Sequence, residues 1–284
     1  MLKKLRCINI HIHHKCNLAC DGCNHFSDLT NSETPDVDED QFLKDVEFIA
    51  KNVRVTDHLA ILGGEPLLNK NFKVMFSKAL DLFLKHGFPT EKIRLYTNGL
   101  LLHKHLYLRE LMDVFKFELY ISIHVSKESK LYEPYKKHIK HFFRSSNFTG
   151  KSMKVIKKSS PYRVKRPITV YNDSSWRKQY LEKDGKIYPY LSNDIKSSFK
   201  NCSCPNAQVL NGKIYKCAPI AYLPYALKYT GQLDDPFWKP FLKYKGHALD
   251  QIDKFLFKHD KPESICAMCP SKPNWILKKD RKVS

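Results

Sequence analysis

Three cysteines near the start of the chain are spaced for iron–sulfur chemistry. Cys16, Cys20 and Cys23 form a C-x3-C-x2-C set, and the surrounding loop supplies no fourth sulfur. Three thiolates can ligate three irons of a four-iron cluster, and the fourth iron then stays open to a substrate or cofactor. A zinc knuckle is the alternative, although zinc sites usually join a C-x2-C to a second pair. The triplet therefore predicts a [4Fe-4S] cluster with one open iron.

A glycine-rich motif follows downstream, where Gly63, Gly64 and Glu65 precede a proline. Glycines allow a backbone to approach a ligand closely, and a carboxylate at such a turn can lie near an ammonium group. A simple turn would explain the same residues. The order of the two motifs favours a ligand site.

The cysteine triplet followed by GGEP resembles the signature of the radical S-adenosylmethionine (radical SAM) enzymes. The resemblance implies that the triplet holds the cluster and that Gly63, Gly64 and Glu65 contact the amino group of SAM's methionine part. It also implies SAM contacts for three polar residues at later strand ends: Asn98, Ser122 and His124. Many members carry an aromatic residue where this chain has Gly22, so Phe26 is an alternative neighbour for the adenine.

Five further cysteines lie in the last third of the chain: Cys202, Cys204, Cys217, Cys266 and Cys269. Their spacing, with Gly212 turning a short hairpin, resembles the SPASM or Twitch modules that hold auxiliary clusters in this family. The number suits one [4Fe-4S] cluster on Cys202, Cys217, Cys266 and Cys269. Cys204 could replace Cys202, and a structural zinc site on four thiolates is the alternative.

The rest of the sequence alternates strand-like and helix-like segments, which predicts a parallel sheet. The reactive residues follow successive strands, and in barrel-like sheets such ends meet at one mouth. We therefore predict an α/β fold: a partial (β/α)6 TIM-like barrel over 1–170 and a small Twitch-like iron–sulfur domain over 171–284. The predicted strands are 6–12, 59–62, 93–96, 119–124, 153–156 and 168–171; the predicted helices are 39–51, 71–85, 103–114 and one within 131–146.

Composition and charge limit the possible binding partners and the cellular compartment. The net charge is +20, and residues 127–167 hold thirteen lysines and arginines against two glutamates. This predicts either a solvated basic face or a surface for an anionic substrate; RNA-binding motifs are missing from the sequence, so nucleic-acid binding is weakly supported. No apolar run approaches the roughly 20 residues of a membrane helix, and the N-terminus lacks a secretion signal. Nine cysteines without secretion indicate a reducing compartment, and we expect the cytoplasm.

The resemblance implies an activity. A radical SAM enzyme cleaves SAM reductively to methionine and a 5′-deoxyadenosyl radical, which abstracts a substrate hydrogen. An auxiliary cluster could accept the remaining electron, so we predict an oxidoreductase acting on a small or carbohydrate-like substrate such as a nucleotide-sugar. Peptide or protein modification and redox-neutral outcomes such as epimerisation remain alternatives, as does a non-catalytic zinc-binding adaptor for nucleic acid. A flavodoxin or ferredoxin is the expected electron donor, and no catalytic acid or base can be named.

Overall fold

The computed structural model describes residues 2–30, 34–90, 92–115, 117–124, 129–144, 162–163, 168–172 and 175–277. The strands are β1 (Lys3–His13), β2 (Val53–Gly63), β3 (Ile93–Thr97), β4 (Phe117–Ile123), β5 (Tyr162–Arg163), β6 (Ile168–Asn172), β7 (Ser175–Arg177), β8 (Leu181–Lys183), β9 (Lys186–Tyr188), β10 (Ala207–Leu210), β11 (Lys213–Tyr215), β12 (His247–Ala248) and β13 (Trp275–Leu277). The helices are α1 (Ser27–Thr30), α2 (Glu39–Asn52), α3 (Phe72–Lys85), α4 (Leu108–Val114), α5 (Tyr132–Arg144), α6 (Ile195–Lys200), α7 (Ala218–Tyr229), α8 (Lys239–Leu242) and α9 (Ile252–His259).

Nine of these strands form one sheet in the order β12-β11-β10-β1-β2-β3-β4-β6-β5. The pairs from β10 across to β6 are all parallel, and β5, β11 and β12 are antiparallel additions at the two edges. The predicted α/β class with a partial parallel barrel is confirmed. The predicted strand over 153–156 lies outside the described residues.

Strand β10 comes late in the chain yet pairs in parallel with β1, where Ile8 lies opposite Ala207. One sheet therefore runs through both parts of the predicted division at residue 170. Asp45 of α2 strengthens this connection, because its carboxylate accepts a hydrogen bond of 3.0 Å from the backbone N–H of Gly212. That glycine turns the β10–β11 hairpin with a φ of 74°.

Strand β1 is buried on both faces. The alternating isoleucines predicted one apolar face, but every residue from Cys7 to His13 is buried. One face packs in the main core with α2 and α3, and helix α7 covers polar residues on the other. A strand in a parallel sheet is usually covered on both faces, which explains the burial of its polar side chains.

The helices follow the predicted periodicity with one difference. The predicted stripe of α3 is buried as expected: Phe72, Met75, Phe76, Ala79, Leu80 and Phe83. The single helix predicted over 103–114 is wrong, because a 3-10 turn at Leu102–Lys104 precedes a separate α4. Within the described residues, no helix combines the length and apolarity needed to cross a membrane.

Candidate active site

A cavity of about 400 Å³ opens where the predicted reactive strand ends meet. This volume lies in the range of small-molecule sites. The structure brings most of the sequence-predicted residues to its wall: Cys16, Cys20, Cys23, Gly63, Gly64, Asn98, Ser122 and His124. Since these residues follow β1, β2, β3 and β4, the parallel sheet is what gathers them.

The cysteine loop is held by short backbone turns. The N–H of Cys23 donates to the carbonyl of Cys20 at 3.0 Å, and Gly22 adopts a φ of 69° between them. Burial raises the pKa of the Cys16 and Cys23 thiols, so metal binding must displace their protons.

The spacing of the three sulfurs separates the two interpretations of the triplet. Among the described residues, the one group whose three ligand atoms all lie within 4.8 Å of one another is elsewhere in the fold. A single zinc ion bound at about 2.3 Å requires sulfurs roughly 3.8 Å apart, whereas a cubane holds each sulfur on a separate iron. Cys16, Cys20 and Cys23 therefore do not form a preformed triangle of the compactness that one zinc ion requires.

Gly63 and Gly64 are required by the packing of the cysteine loop. A Cβ at Gly63 would lie 1.8 Å from the carbonyl oxygen of His13, and one at Gly64 would lie 2.4 Å from that of Lys15. The backbone N–H of Gly64 donates to the His13 carbonyl at 3.1 Å. The space that a side chain would take is thus filled by the chain leading into the cysteine loop, and both glycines also line the cavity.

Glu65 is fully buried and does not line the cavity. One carboxylate oxygen accepts a 2.6 Å hydrogen bond from the N–H of Asn98, and the other accepts from the Thr97 hydroxyl at 2.8 Å and the Leu67 N–H at 3.1 Å. Burial raises the pKa of Glu65 to about 7, against the lowering effect of these donors. Its side chain joins the ends of β2 and β3; a contact with SAM stays a prediction.

Asn98 links the third strand end to the cysteine loop. Its amide Nδ2 donates to Asn17 Oδ1 at 2.7 Å and approaches Cys16 Sγ at 3.8 Å, and its Oδ1 accepts from the Leu100 N–H at 3.0 Å. Hydrogen bonds to ligating sulfur are one means by which proteins set cluster potentials. Asn98 therefore contacts the predicted cluster loop as well as the cavity.

The lining also includes residues that the sequence did not indicate. Arg177 and Trp275 are opposed across the β7–β13 pair, and the guanidinium carbon lies 4.8 Å from the indole centroid. The buried Nε of Arg177 has no hydrogen-bond partner among the described residues. Gln179 also lines the cavity and donates to the Ser203 hydroxyl at 2.6 Å. The segments are about a hundred residues apart in sequence, so no local pattern could reveal the pair.

A buried group of histidines lies behind the cysteine loop. The Tyr222 hydroxyl is 2.7 Å from His11 Nδ1 and 2.8 Å from His14 Nδ1, and the His25 ring contacts both His11 and Tyr222. Burial lowers the pKa of His11 to about 4 and that of His14 to about 3, so both imidazoles are neutral at pH 7. These histidines pack against Tyr222, and the contact attaches α7 to β1. Phe26 is also buried here against Tyr180 and does not line the cavity.

The C-terminal cysteines surround a second, much smaller cavity of about 30 Å³ that all five of them line. They come from separate elements: Cys217 caps α7, whereas Cys266 lies in the 3-10 turn Ser264–Met268 and Cys269 follows it. No three of their sulfurs lie within 4.8 Å of one another, although all five residues belong to the described part of the chain.

Lys216 fixes the turn that carries Cys266. Its buried ammonium donates to the carbonyls of Lys258, His259 and Lys261 at 3.1, 2.6 and 2.7 Å and lies 3.0 Å from the Glu263 carboxylate. The ammonium beside the thiol cavity is thus already paired with a carboxylate and three carbonyls.

The choice between Cys202 and Cys204 remains open, but the two differ in position. Cys204 lines both cavities, and its sulfur accepts a 3.4 Å hydrogen bond from Asn24 of the cysteine loop. Cys202 lines the small cavity, and its sulfur accepts from the Cys204 N–H at 3.3 Å. Cys204 thus lies between the two cavities, whereas Cys202 lines only the small one.

Comparison with known proteins adds a family. The sequence profile of the Radical SAM superfamily matches residues 10–170, more than half of the chain. An S-adenosylmethionine-dependent nucleotide dehydratase of Selenomonas ruminantium is 31% identical over 99 residues, covering 34% of this chain and 30% of that protein.

Two solved structures share parts of the shape. BtrN in complex with AdoMet and 2-DOIA is 17% identical with a TM-score of 0.49, covering 95% of this chain and 94% of its own. Native anSMEcpe with bound AdoMet is 24% identical with a TM-score of 0.37, covering 49% and 41%. At these scores neither likeness bears on what this chain binds.

Proposed function

The chain belongs to the radical SAM superfamily, and we propose that it oxidises a small, negatively charged, carbohydrate-like substrate after reductive cleavage of SAM. The observation that carries the proposal is the lining of the 400 Å³ cavity. It combines the three cysteines and the strand ends with Arg177 and Trp275.

The donor set fits the cofactors of the family. Cys16, Cys20 and Cys23 would hold a [4Fe-4S] cluster, and Gly63, Gly64, Asn98, Ser122 and His124 face the space where SAM would bind. When bound, the cluster supplies the electron that splits SAM into methionine and the 5′-deoxyadenosyl radical, which removes a hydrogen atom from the substrate. The protein's part is to bind and position these groups.

The buried partners keep this loop in place. Glu65 and Asn98 connect β2, β3 and the cysteine loop through direct hydrogen bonds. Since the loop is held from two strands, the three cysteines that would hold the cluster are fixed at the cavity. Fixed placement of the reacting groups is a large part of the protein's contribution to such chemistry.

Arg177 supports an anionic substrate. A guanidinium binds carboxylate or phosphate through two parallel hydrogen bonds, and Arg177 lines the cavity while its Nε has no hydrogen-bond partner among the described residues. Trp275, 57% exposed, offers a face on which a sugar or base could stack. A phosphorylated or nucleotide-linked sugar combines both features.

The C-terminal cysteines support an oxidation. We propose that Cys202, Cys217, Cys266 and Cys269 hold an auxiliary [4Fe-4S] cluster in a Twitch-like module, which takes the second electron from the substrate radical. Membership of the radical SAM superfamily favours a cluster over zinc at this site. A flavodoxin or ferredoxin would return electrons to the first cluster.

A second candidate is a redox-neutral elimination of water from a nucleotide. The name of the Selenomonas ruminantium relative supports it, and a nucleotide would also suit Arg177 and Trp275. In that case the C-terminal site would accept no electron. Peptide modification has no feature of this cavity in its favour, and membership of the family leaves the non-catalytic adaptor without support.

The test is a panel of substrates offered to reconstituted, oxygen-free protein with SAM. We expect deuterium transfer from a deuterated nucleotide-sugar or sugar phosphate into 5′-deoxyadenosine, and none from neutral sugars or peptides. Arg177→Gln should raise KM for the anionic substrate about tenfold or more, since a charged hydrogen bond is worth about 1.5–3 kcal/mol. The matched control Lys183→Gln removes an exposed charge outside the cavity and should leave KM unchanged.

Transfer from a peptide alone would overturn the substrate class. A ketone or aldehyde product indicates oxidation, whereas a dehydrated product without net oxidation indicates the second candidate.

A further inference from the structure

We propose a separate zinc site, formed by Cys7 of β1 and Asp57 and His58 of β2. Among the described residues, this is the one group of three potential metal ligands whose ligand atoms all lie within 4.8 Å of one another. Cys7 lies six residues before His13 in the same strand, which is roughly 20 Å from the cavity end of the sheet. The site is thus distinct from both cysteine cavities.

The three ligand atoms form an even triangle. Cys7 Sγ is 3.4 Å from Asp57 Oδ2 and 3.4 Å from His58 Nδ1, and those two atoms are 3.4 Å apart. A tetrahedral zinc ion with bonds of about 2.0–2.3 Å separates its S, N and O ligands by roughly 3.3–3.6 Å. The nitrogen–oxygen distance exceeds the roughly 2.7–3.2 Å of an ordinary hydrogen bond. The triangle therefore has the dimensions of one face of a zinc tetrahedron, although its two sulfur contacts are also hydrogen bonds.

An irregularity in strand pairing produces this triangle. Leu5 pairs with Val55 and Cys7 with His58, so β2 has one more residue than β1 between these pairs. Neighbouring side chains of a regular strand point to opposite faces, whereas a bulge turns an extra residue aside. The bulge therefore lets Asp57 and His58 approach the same cysteine.

The charges suit a divalent cation. Zn²⁺ with a thiolate and a carboxylate is neutral as a unit, and the thiol proton would leave to solvent on binding. Burial lowers the pKa of His58, which keeps its imidazole neutral, and raises the pKa of Cys7, which keeps the thiol protonated until a metal arrives.

Two surrounding cations contact the carboxylate from outside. Arg6 lies 3.5 Å from Asp57 Oδ2, and Lys92 lies 3.9 Å from Oδ1. Such outer contacts orient ligating carboxylates. The Asp57 side chain is 38% exposed whereas Cys7 and His58 are buried, so metal and a fourth water ligand would enter past Asp57.

The experiment uses anaerobically reconstituted holoprotein, in which iron fills the other cysteine sites. Zn²⁺ is added, unbound metal is removed by gel filtration, and zinc and iron are counted per chain. We expect about one zinc in the wild type and in the control Asp253→Asn, which removes an exposed carboxylate paired with Lys3. Cys7→Ser should retain none, with its iron content unchanged.

Zinc X-ray absorption should show one sulfur with nitrogen and oxygen neighbours, and zinc should raise the Tm of the wild type but not of Cys7→Ser. If Cys7→Ser fails to fold, Asp57→Asn on the exposed side serves instead. A four-sulfur zinc signal, or equal zinc in the wild type and the variants, would overturn the proposal.

Discussion

The two cysteine sites are assembled in opposite ways. The N-terminal triplet occupies one short loop, so its spacing is visible in the sequence and the fold has only to hold the loop. The C-terminal set is collected from residues 202–269, and its geometry depends on α7, the hairpin of β10 and β11, and the contacts of Lys216. The comparison indicates that one loop sets the spacing of the first ligands, whereas the geometry of the second set depends on the fold of the whole C-terminal part.

The largest expected effect separates the two sites by chemistry. Cys20→Ala should abolish 5′-deoxyadenosine formation from SAM, because two thiolates cannot retain a cluster with one open iron. The measurement is the yield of 5′-deoxyadenosine after anaerobic reconstitution and reduction. If the variant still cleaves SAM, the N-terminal loop has no part in the reaction and the two sites must exchange roles.

The matching substitution at the other site should have a different outcome. Cys269→Ala should spare SAM cleavage and stop substrate turnover, because the acceptor of the second electron is lost. Iron should fall from about eight to about four per chain. Unchanged iron with a loss of zinc would make the C-terminal site a zinc site, and full turnover would reduce it to a structural role.

A smaller effect should show that Glu65 stabilises the N-terminal site and not the C-terminal one. Glu65→Gln replaces a buried acceptor that receives three hydrogen bonds, and we expect a loss of about 1–3 kcal/mol in the free energy of unfolding. Iron at the C-terminal site should not change. Urea unfolding, with iron counted at each site by spectroscopy, measures both.

The pH dependence of this variant has a definite sign. The pKa of Glu65 is raised from 4.5 to about 7 by burial, so its contribution to stability is complete below about pH 4.5 and declines as pH rises to 7. The wild type should lose stability over this interval relative to Glu65→Gln. A constant difference between pH 5 and pH 8 would contradict the raised pKa.

Local patterns in the sequence predicted the class of fold and part of the cavity lining. The apolar stripe of α3 and the polar residues at the ends of β2, β3 and β4 are short-range sequence signals. The parallel sheet then brings these polar strand ends together. Arg177 and Trp275 could not be predicted, because they meet through three-residue strands far apart in the chain. The Cys7 triangle could not be predicted either, because it depends on a bulge in β2. Nothing in the sequence marks which residue of a strand is the extra one.

The pairing of β10 with β1 has a practical consequence for anyone preparing a shorter version of this protein. A polypeptide that ends at residue 170 would retain every motif of the superfamily match. Without β10, however, one edge of β1 would have unpaired backbone N–H and C=O groups, and without α7 the imidazoles of His11 and His14 would lose Tyr222. Unpaired edge strands tend to pair with other chains and so promote aggregation. A minimal catalytic fragment should therefore carry the late hairpin and α7 with it, or it will precipitate.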